Sequence, residues 1–164
     1  MFQRILVPID GSPTSNRGLE VAIGLASDQK AKICLLHVVD ELVATGGVDG
    51  MTYVPSSFSD EFIRALRQQG RKLLASAEAK VRKHGIDVDA VLAQTAGYRV
   101  ADLIIKQAKK WRADVIVLGT HGRRGLSRVV MGSDAEMVLR EAPVPVLLVR
   151  SPLRPQRRHA RSEA

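Results

Sequence analysis

The segment Asp114-Val115-Ile116-Val117-Leu118-Gly119-Thr120-His121-Gly122-Arg123-Arg124-Gly125, followed seven residues later by Gly132-Ser133-Asp134-Ala135-Glu136, decides how the rest of the chain is read. Asp114 to Leu118 is an apolar run rich in β-branched residues and too short for a helix, the pattern of a strand buried on both faces of a parallel sheet. Ser133-x-x-Glu136 has the form of a capping box and predicts a helix with Ser133 as its N-cap. A strand that feeds a glycine-rich loop ending at a helix N-terminus is an anion-binding arrangement. The first-turn N–H groups are free, the helix dipole is positive there, and glycines let the backbone close on a phosphate. The same geometry also serves as a plain connection in proteins that bind nothing. The segment has neither the Gly-Lys-Ser/Thr ending of a Walker A loop nor the Gly-x-Gly-x-x-Gly dinucleotide fingerprint. Phosphate capture here would therefore rest on backbone amides and arginine.

Working outward, the chain alternates strand and helix signals. Gln3 to Ile9 is an apolar run ending in Asp10-Gly11-Ser12-Pro13, where Ser12 as N-cap and Pro13 at the first helical position announce a helix. Leu19, Ala22, Ile23 and Ala26 then form one apolar stripe. Ala31 to Val39 is a second buried strand, with His37 and Asp40 at its exit. A second helix, capped by Ser59, runs to His84-Gly85 with Ile63, Leu66, Leu73, Ala77 and Val81 on its apolar face, and Gly70 interrupts it at modest cost. Asp87 to Gln94 is the third strand. Val100, Leu103, Ile104, Ala108 and Trp111 mark the third helix, with Trp111 read as packing and not as a base-stacking platform. The last helix carries Ala135, Val138, Leu139 and Ala142 and stops at Pro143. Val144 to Val149 is the fifth strand, placed at an edge because Pro145 cannot donate to a ladder. Five strands alternating with four helices predict an α/β fold with a doubly wound, Rossmann-like parallel sheet.

Composition sets the outer bounds. The 164 residues are 45% hydrophobic and 26% charged, ordinary values for one globular domain, here 1–150. No run approaches a membrane span, and Met1-Phe2-Gln3-Arg4 leads directly into a strand, so a cytoplasmic location and no membrane partner are expected. Cys34 is the only cysteine and lies in an apolar run, which excludes an internal disulfide and favours a buried hydrophobe over a nucleophile. Of the net charge of +8, three units come from Arg154, Arg157, Arg158 and Arg161 against Glu163 in the stretch 151–164, which lacks periodicity and is expected to be a disordered basic tail. With 4% aromatic residues the basic balance argues against nucleic acid as the main partner. The span of about 40–58 has no helical period and reads as a flexible loop, either a flap over the site or an insertion without a role.

The candidate site residues follow from this layout. Asp10 stands where the first strand ends, at the carboxyl edge where ligands gather in parallel sheets, and can equally be a turn residue bonded to nearby backbone. His37 reads as a satisfied strand-end histidine, since no partner histidine stands at metal spacing. An apolar edge strand at 144–149 is covered most simply by a second copy, which predicts a homodimer.

From Arg4 to Val149 the chain also resembles the universal stress protein family. The resemblance is carried by Ile5-Leu6-Val7-Pro8-Ile9-Asp10-Gly11-Ser12, by Leu36-His37-Val38-Val39, by Gly119-x-x-Gly122 with nine residues to Gly132-Ser133, and by Ala142-Pro143-Val144-Pro145-Val146. It implies the adenine nucleotide α-hydrolase-like variant of the Rossmann-like fold, and a role in stress response. It implies ATP as ligand, with Mg2+ held by Asp10 through Mg-ATP. It places the adenine at the backbone of Val38, ribose and phosphates near Asp10, and the phosphates at Gly119, Gly122 and Arg123 and at Gly132 and Ser133, with Pro8, Leu118, His121 and Asp134 counted among the residues around the ligand. Asp134 departs from the pattern. At the first helical position it would stabilise an empty helix by roughly 0.3–1 kcal/mol and repel a phosphate. With no P-loop lysine and no second carboxylate beside Asp10 evident, any hydrolysis is expected to be slow. The competing function is a dimer of the same fold that binds no nucleotide and serves as an interaction scaffold.

Overall fold

The computed structural model describes residues 1–40, 56–120 and 132–150, with side chains of the second segment described from residue 60 onward. The elements alternate as β1 (Arg4–Pro8), α1 (Pro13–Gln29), β2 (Lys32–Val39), α2 (Ser56–Arg82), β3 (Val88–Gln94), α3 (Val100–Trp111), β4 (Val115–Gly119), α4 (Ser133–Glu141) and β5 (Val146–Val149). All neighbouring strands pair in parallel, in the order β3-β2-β1-β4-β5. The α/β alternation therefore folds as the sequence indicates. The chain winds from β1 outward to β3, crosses back, and winds outward again from β4 to β5.

Side-chain alternation along each strand divides the core in two. Ile5, Val7, Ile33, Leu35, Val115 and Val117 point to one side and meet Leu19, Ala22, Ile23 and Ala26 of α1 with Leu74, Ala77 and Val81 of α2. Leu6, Cys34, Leu36, Ile116 and Leu118 point to the other and meet Ala101, Ile104 and Ala108 of α3 with Ala135 and Val138 of α4. Strands covered on both faces need apolar side chains at every position, which is why their sequences are continuous apolar runs.

Helix α1 begins as its sequence predicts, with the Ser12 hydroxyl accepting from the Ser15 N–H at 3.2 Å and Pro13 in the first turn. Four other boundaries and faces differ from the reading. Helix α2 starts at Ser56, about one turn before Ser59, since serine lowers helix stability only slightly. Its 27 residues span about 40 Å, longer than the strands beneath, so Ile63, Leu66 and Leu73 are only half-buried while Leu74 takes the core position. On α3 the buried stripe is Ala101, Ile104, Ile105 and Ala108, leaving Leu103 and Trp111 at its margin. Strand β5 opens at Val146, two residues later than expected, since Pro145 has no N–H and contributes only its carbonyl, which accepts from Ile116 at 3.0 Å.

The amino ends of the strands are closed by a lock around Trp111. The Arg4 guanidinium lies 4.3 Å from the Trp111 ring centroid and donates to its carbonyl, while the indole Nε1 donates to Asp89 at 2.8 Å. Asp114 accepts from the N–H groups of Gln3 and Arg4 at 2.8 and 2.9 Å. Trp111 is thus a packing residue at the end of the sheet remote from the carboxyl edge. Cys34 is fully buried against Gln107, and burial pushes its thiol up to about 11, so it is a core residue and not a nucleophile. Of the expected flap over 40–58, residues 41–55 lie outside the described residues and 56–58 belong to α2. The basic tail 151–164 lies outside them entirely.

Candidate functional site

A cavity of about 530 Å³ opens at the carboxyl ends of β1, β2 and β4. It stands over the point where the winding reverses between β1 and β4, where adjacent connections leave to opposite faces and the sheet parts. Pro8, Asp10, Val38, Leu118, Gly119, Gly132, Ser133 and Asp134 all contribute to its lining, so the structure brings these eight sequence-derived candidates together. His121, Gly122 and Arg123 lie outside the described residues.

The floor is set by β2 running past the end of β1. The last β1–β2 pair is Pro8 with Leu36, whereas β2 continues through Val39 beside β3. The Leu36 carbonyl accepts from Ile9 at 2.8 Å, and the Val39 carbonyl accepts from Thr95 at 3.1 Å. Peptide groups alternate sides along a strand, so the N–H and C=O of Val38 point toward the β1 side, where the strand has ended. One donor and one acceptor of a single residue thereby face the cavity.

Asp10 is held by the turn into α1. Its carboxylate accepts from the Ser12 N–H at 2.9 Å, and its own N–H donates to the Ser15 hydroxyl at 3.1 Å. The turn role read from the sequence is therefore real, and it orients the side chain beside the cavity. His37 is 5% exposed and its Nδ1 lies 2.7 Å from the Ile9 carbonyl. A carbonyl only accepts, so Nδ1 carries the proton and the ring braces the β1 exit. That agrees with the strand-end role expected of it.

The opposite wall is the start of α4. Its N-cap is Gly132 (φ −64°, ψ 145°), and Ser133 is already the first helical residue, so the predicted Ser133 capping box does not form. The reason lies in the chain path. Gly132 N–H donates to the Thr120 carbonyl at 3.0 Å, which draws it to the end of β4 in an extended conformation, and its own carbonyl receives the first helical bond from Glu136 at 2.9 Å. Asp134 consequently occupies the second helical position, not the first, and still lines the cavity.

Several lining residues escape a motif search. Leu66 and Gln69 come from α2, and Val100 and Ile104 from α3. The usable signal was the excess length of α2, whose early turns must overhang the carboxyl edge. A second missed feature is Gly70. A Cβ there would lie 2.6 Å from His37 Cδ2 and 2.8 Å from Leu92 Cδ1, so the glycine is a slot for the imidazole. Gly119 likewise has a packing role. A Cβ on it would lie 2.9 Å from both the Ser15 nitrogen and the Thr14 carbonyl carbon, so the first turn of α1 rests against bare backbone.

Compared with known proteins, the sequence matches the family model described as the universal stress protein family over residues 1–150. The chain belongs to the universal stress protein family. The universal stress protein YxiE of Bacillus subtilis is 35% identical over 151 residues, covering 92% of this chain and all of that protein. The solved structure of MJ0577 of Methanocaldococcus jannaschii shares the fold at 23% identity and a TM-score of 0.79, covering 94% of this chain and 99% of that one. A universal stress protein family member from Arabidopsis thaliana, solved with AMP bound, superposes with a TM-score of 0.64 at 21% identity over 92% of each chain. Other members of the fold were solved in complex with cAMP and with dAMP. As in those neighbours, this universal stress protein carries the five-stranded parallel sheet. No helix among its described residues is long and apolar enough to cross a membrane.

Proposed function

We propose that this universal stress protein binds an adenine nucleotide, ATP, in the cavity over the β1–β4 switch point and acts in the cytoplasm in stress response. The observation that carries the reading is the β1-side edge of β2 at Val38, past the end of β1, whose donor and acceptor face a cavity with an aspartate on one side and a helix N-terminus on the other. A purine edge can pair with such a peptide group, Asp10 can accept from ribose hydroxyls, and the first amides of α4 suit a phosphate. The bound AMP, cAMP and dAMP of the structural neighbours support the same ligand class. Pro8, Leu118 and Gly119 form the adjoining wall, Gly132, Ser133 and Asp134 the phosphate end, and His121, Gly122 and Arg123 extend that end in sequence.

Carboxylate oxygens suit Mg2+ brought in on phosphates, and Asp10 is the residue assigned to it. The sequence carries no P-loop lysine, and hydrolysis is proposed to be at most slow. We assign residues 1–150 to the universal stress protein domain and 151–164 to a basic tail, with no membrane or nucleic-acid partner. Asp134, which brings an anion to the phosphate end, favours a second reading, a dimeric scaffold that binds no nucleotide.

Titrating nucleotide-stripped protein with Mg-ATP separates the two, beside a Gly132→Val variant. The φ and ψ at 132 are open to any residue, so valine adds no backbone strain there, and its side chain is expected to cover the first amides of α4; circular dichroism checks that the variant is folded. ATP affinity is expected to fall by at least about tenfold, or 1.4 kcal/mol. Unchanged affinity would move the phosphates elsewhere, and no binding by the parent would leave the scaffold.

We also assign dimerisation to β5. The two sheet edges differ in chemistry. On β3, Asp89 presents a charge, whereas on β5 Leu147 is 38% exposed and Leu139 of the neighbouring α4 is 47% exposed. The parent is expected to sediment as a dimer and Leu147→Glu as a monomer at micromolar concentration, because a charge in an apolar strand-pairing seam stays unpaired. A monomeric parent would remove this assignment.

A further inference from the structure

We propose that His37 and Ser15 are positioning residues for Asp10: they grip the peptide between Ile9 and Asp10 from both sides and so set the carboxylate to read the ribose hydroxyls of the bound nucleotide. The inference rests on the adenine-nucleotide reading and adds to it the residues that fix its ribose contact.

Asp10 stands just past the reach of the sheet. The β1–β4 register runs through Ile5 and Leu6, and the β1–β2 register runs through Pro8. One more ladder bond follows, from the Ile9 N–H to the Leu36 carbonyl at 2.8 Å. The next peptide unit joins the Ile9 carbonyl to the Asp10 N–H, and side chains hold it. His37 Nδ1 donates to that carbonyl at 2.7 Å, and the Ser15 hydroxyl accepts from that N–H at 3.1 Å. A peptide unit is planar, so fixing its oxygen and its hydrogen fixes the plane and the direction in which the Asp10 Cα leaves it. The carboxylate in turn accepts from the Ser12 N–H at 2.9 Å. An ionised carboxylate has about four acceptor sites, so this bond is compatible with accepting from a ribose as well.

Both grips are buried. His37 and Ser15 are each 5% exposed, and in such a setting a hydrogen bond is stronger than in water. The imidazole is seated against the bare Cα of Gly70, where a Cβ would lie 2.6 Å from Cδ2, while Ser15 belongs to the first turn of α1. Two helices therefore back the two grips. His37 also directly precedes Val38. One short stretch of β2 thus presents the base edge through its backbone and, through a side chain, orients the group that meets the sugar.

The test is calorimetric titration of Mg-ATP and of Mg-dideoxy-ATP, which lacks both ribose hydroxyls, into the parent, His37→Leu, His37→Asn and Ser15→Ala, with folding checked by circular dichroism. Both ligands carry the same base, triphosphate and metal, so the ratio of their affinities reports the hydroxyls alone. The parent is expected to prefer ATP by about tenfold, the scale of a hydrogen bond to a charged group. His37→Leu and Ser15→Ala should each lower that preference to about threefold or less, because a hydrogen bond weakens steeply once misaligned. His37→Asn should keep the parental preference, since the amide nitrogen of asparagine falls where Nδ1 does. A merely structural loss would weaken both ligands alike and leave the ratio unmoved. A folded His37→Leu or Ser15→Ala variant with the parental preference overturns the proposal, and Ser15→Ala, which removes a single hydroxyl, decides it if His37→Leu does not fold. His37→Asn behaving as His37→Leu also overturns it, since the bulk of the ring and not its donor would then matter. A parent that binds both ligands equally overturns the ribose contact and this inference while leaving the nucleotide reading in place. A parent that binds neither overturns the nucleotide reading itself.

Discussion

Replacing Gly119 by alanine is expected to destabilise the protein by about 3 kcal/mol, at the upper end of what inserting a single carbon into a packed interior costs. The added carbon would lie 2.9 Å from the Ser15 nitrogen and the Thr14 carbonyl carbon and 3.1 Å from Thr14 Cβ. Two of these are main-chain atoms in the first turn of α1, so relief requires the helix to move as a body, not a side chain to rotate. Leu19, Ala22, Ile23 and Ala26 anchor that helix in the core and resist the movement. The turn also carries Ser12 and Ser15, which bond Asp10, so part of the strain should pass to the cavity wall. Urea unfolding followed by circular dichroism gives the stability change. A loss below about 0.5 kcal/mol, the range of an ordinary surface substitution, would mean that α1 does not rest on Gly119 as described.

Gly70→Ala provides the second large effect, and its sign opposes helix propensity. In the middle of α2, alanine should stabilise by about 1 kcal/mol over glycine. The new methyl would instead meet His37 Cδ2 at 2.6 Å and Leu92 Cδ1 at 2.8 Å. Leu92 can turn aside, but the imidazole is held by its bond to the Ile9 carbonyl and is nearly enclosed. A net loss of about 1–2 kcal/mol is expected from the overpacking. A double-mutant cycle with His37→Ala identifies the cause. Removing the ring vacates the slot, so alanine at 70 should become neutral or favourable, with a coupling of at least about 1 kcal/mol. Additive effects would show that the ring and the glycine do not constrain each other.

Both predictions concern residues whose identity the sequence showed and whose reason it hid. Gly119 was legible as part of a glycine spacing and was assigned to phosphate approach, yet its nearest constraint is the turn of α1, a contact between segments about a hundred residues apart. Gly70 read as a tolerated interruption because nothing local reveals a histidine from another element. By contrast, the strands were legible almost to the residue. Burial on both faces writes itself as an unbroken run such as Ile33 to Leu36, and Ser12-Pro13 needs no tertiary context to start a helix. The misplaced cap at Ser133 shows the boundary between the two cases. Ser-x-x-Glu is a sound local signal, but the bond from Gly132 to Thr120 drew the extended residue one position earlier. On α2, Leu73 packs against the core as its spacing indicates, and Leu74 beside it is the more deeply buried of the two.

The unlike edges of the sheet also bear on what the folded protein does at high concentration. A sheet with two open, matching borders has a valence of two and can extend without limit, each arriving copy exposing a fresh border for the next. Here Asp89 places a charge on the β3 border, while the β5 border is apolar. A protein with one receptive border has a valence of one. Two copies that join by it leave only the blunted borders facing outward, and growth terminates at the pair.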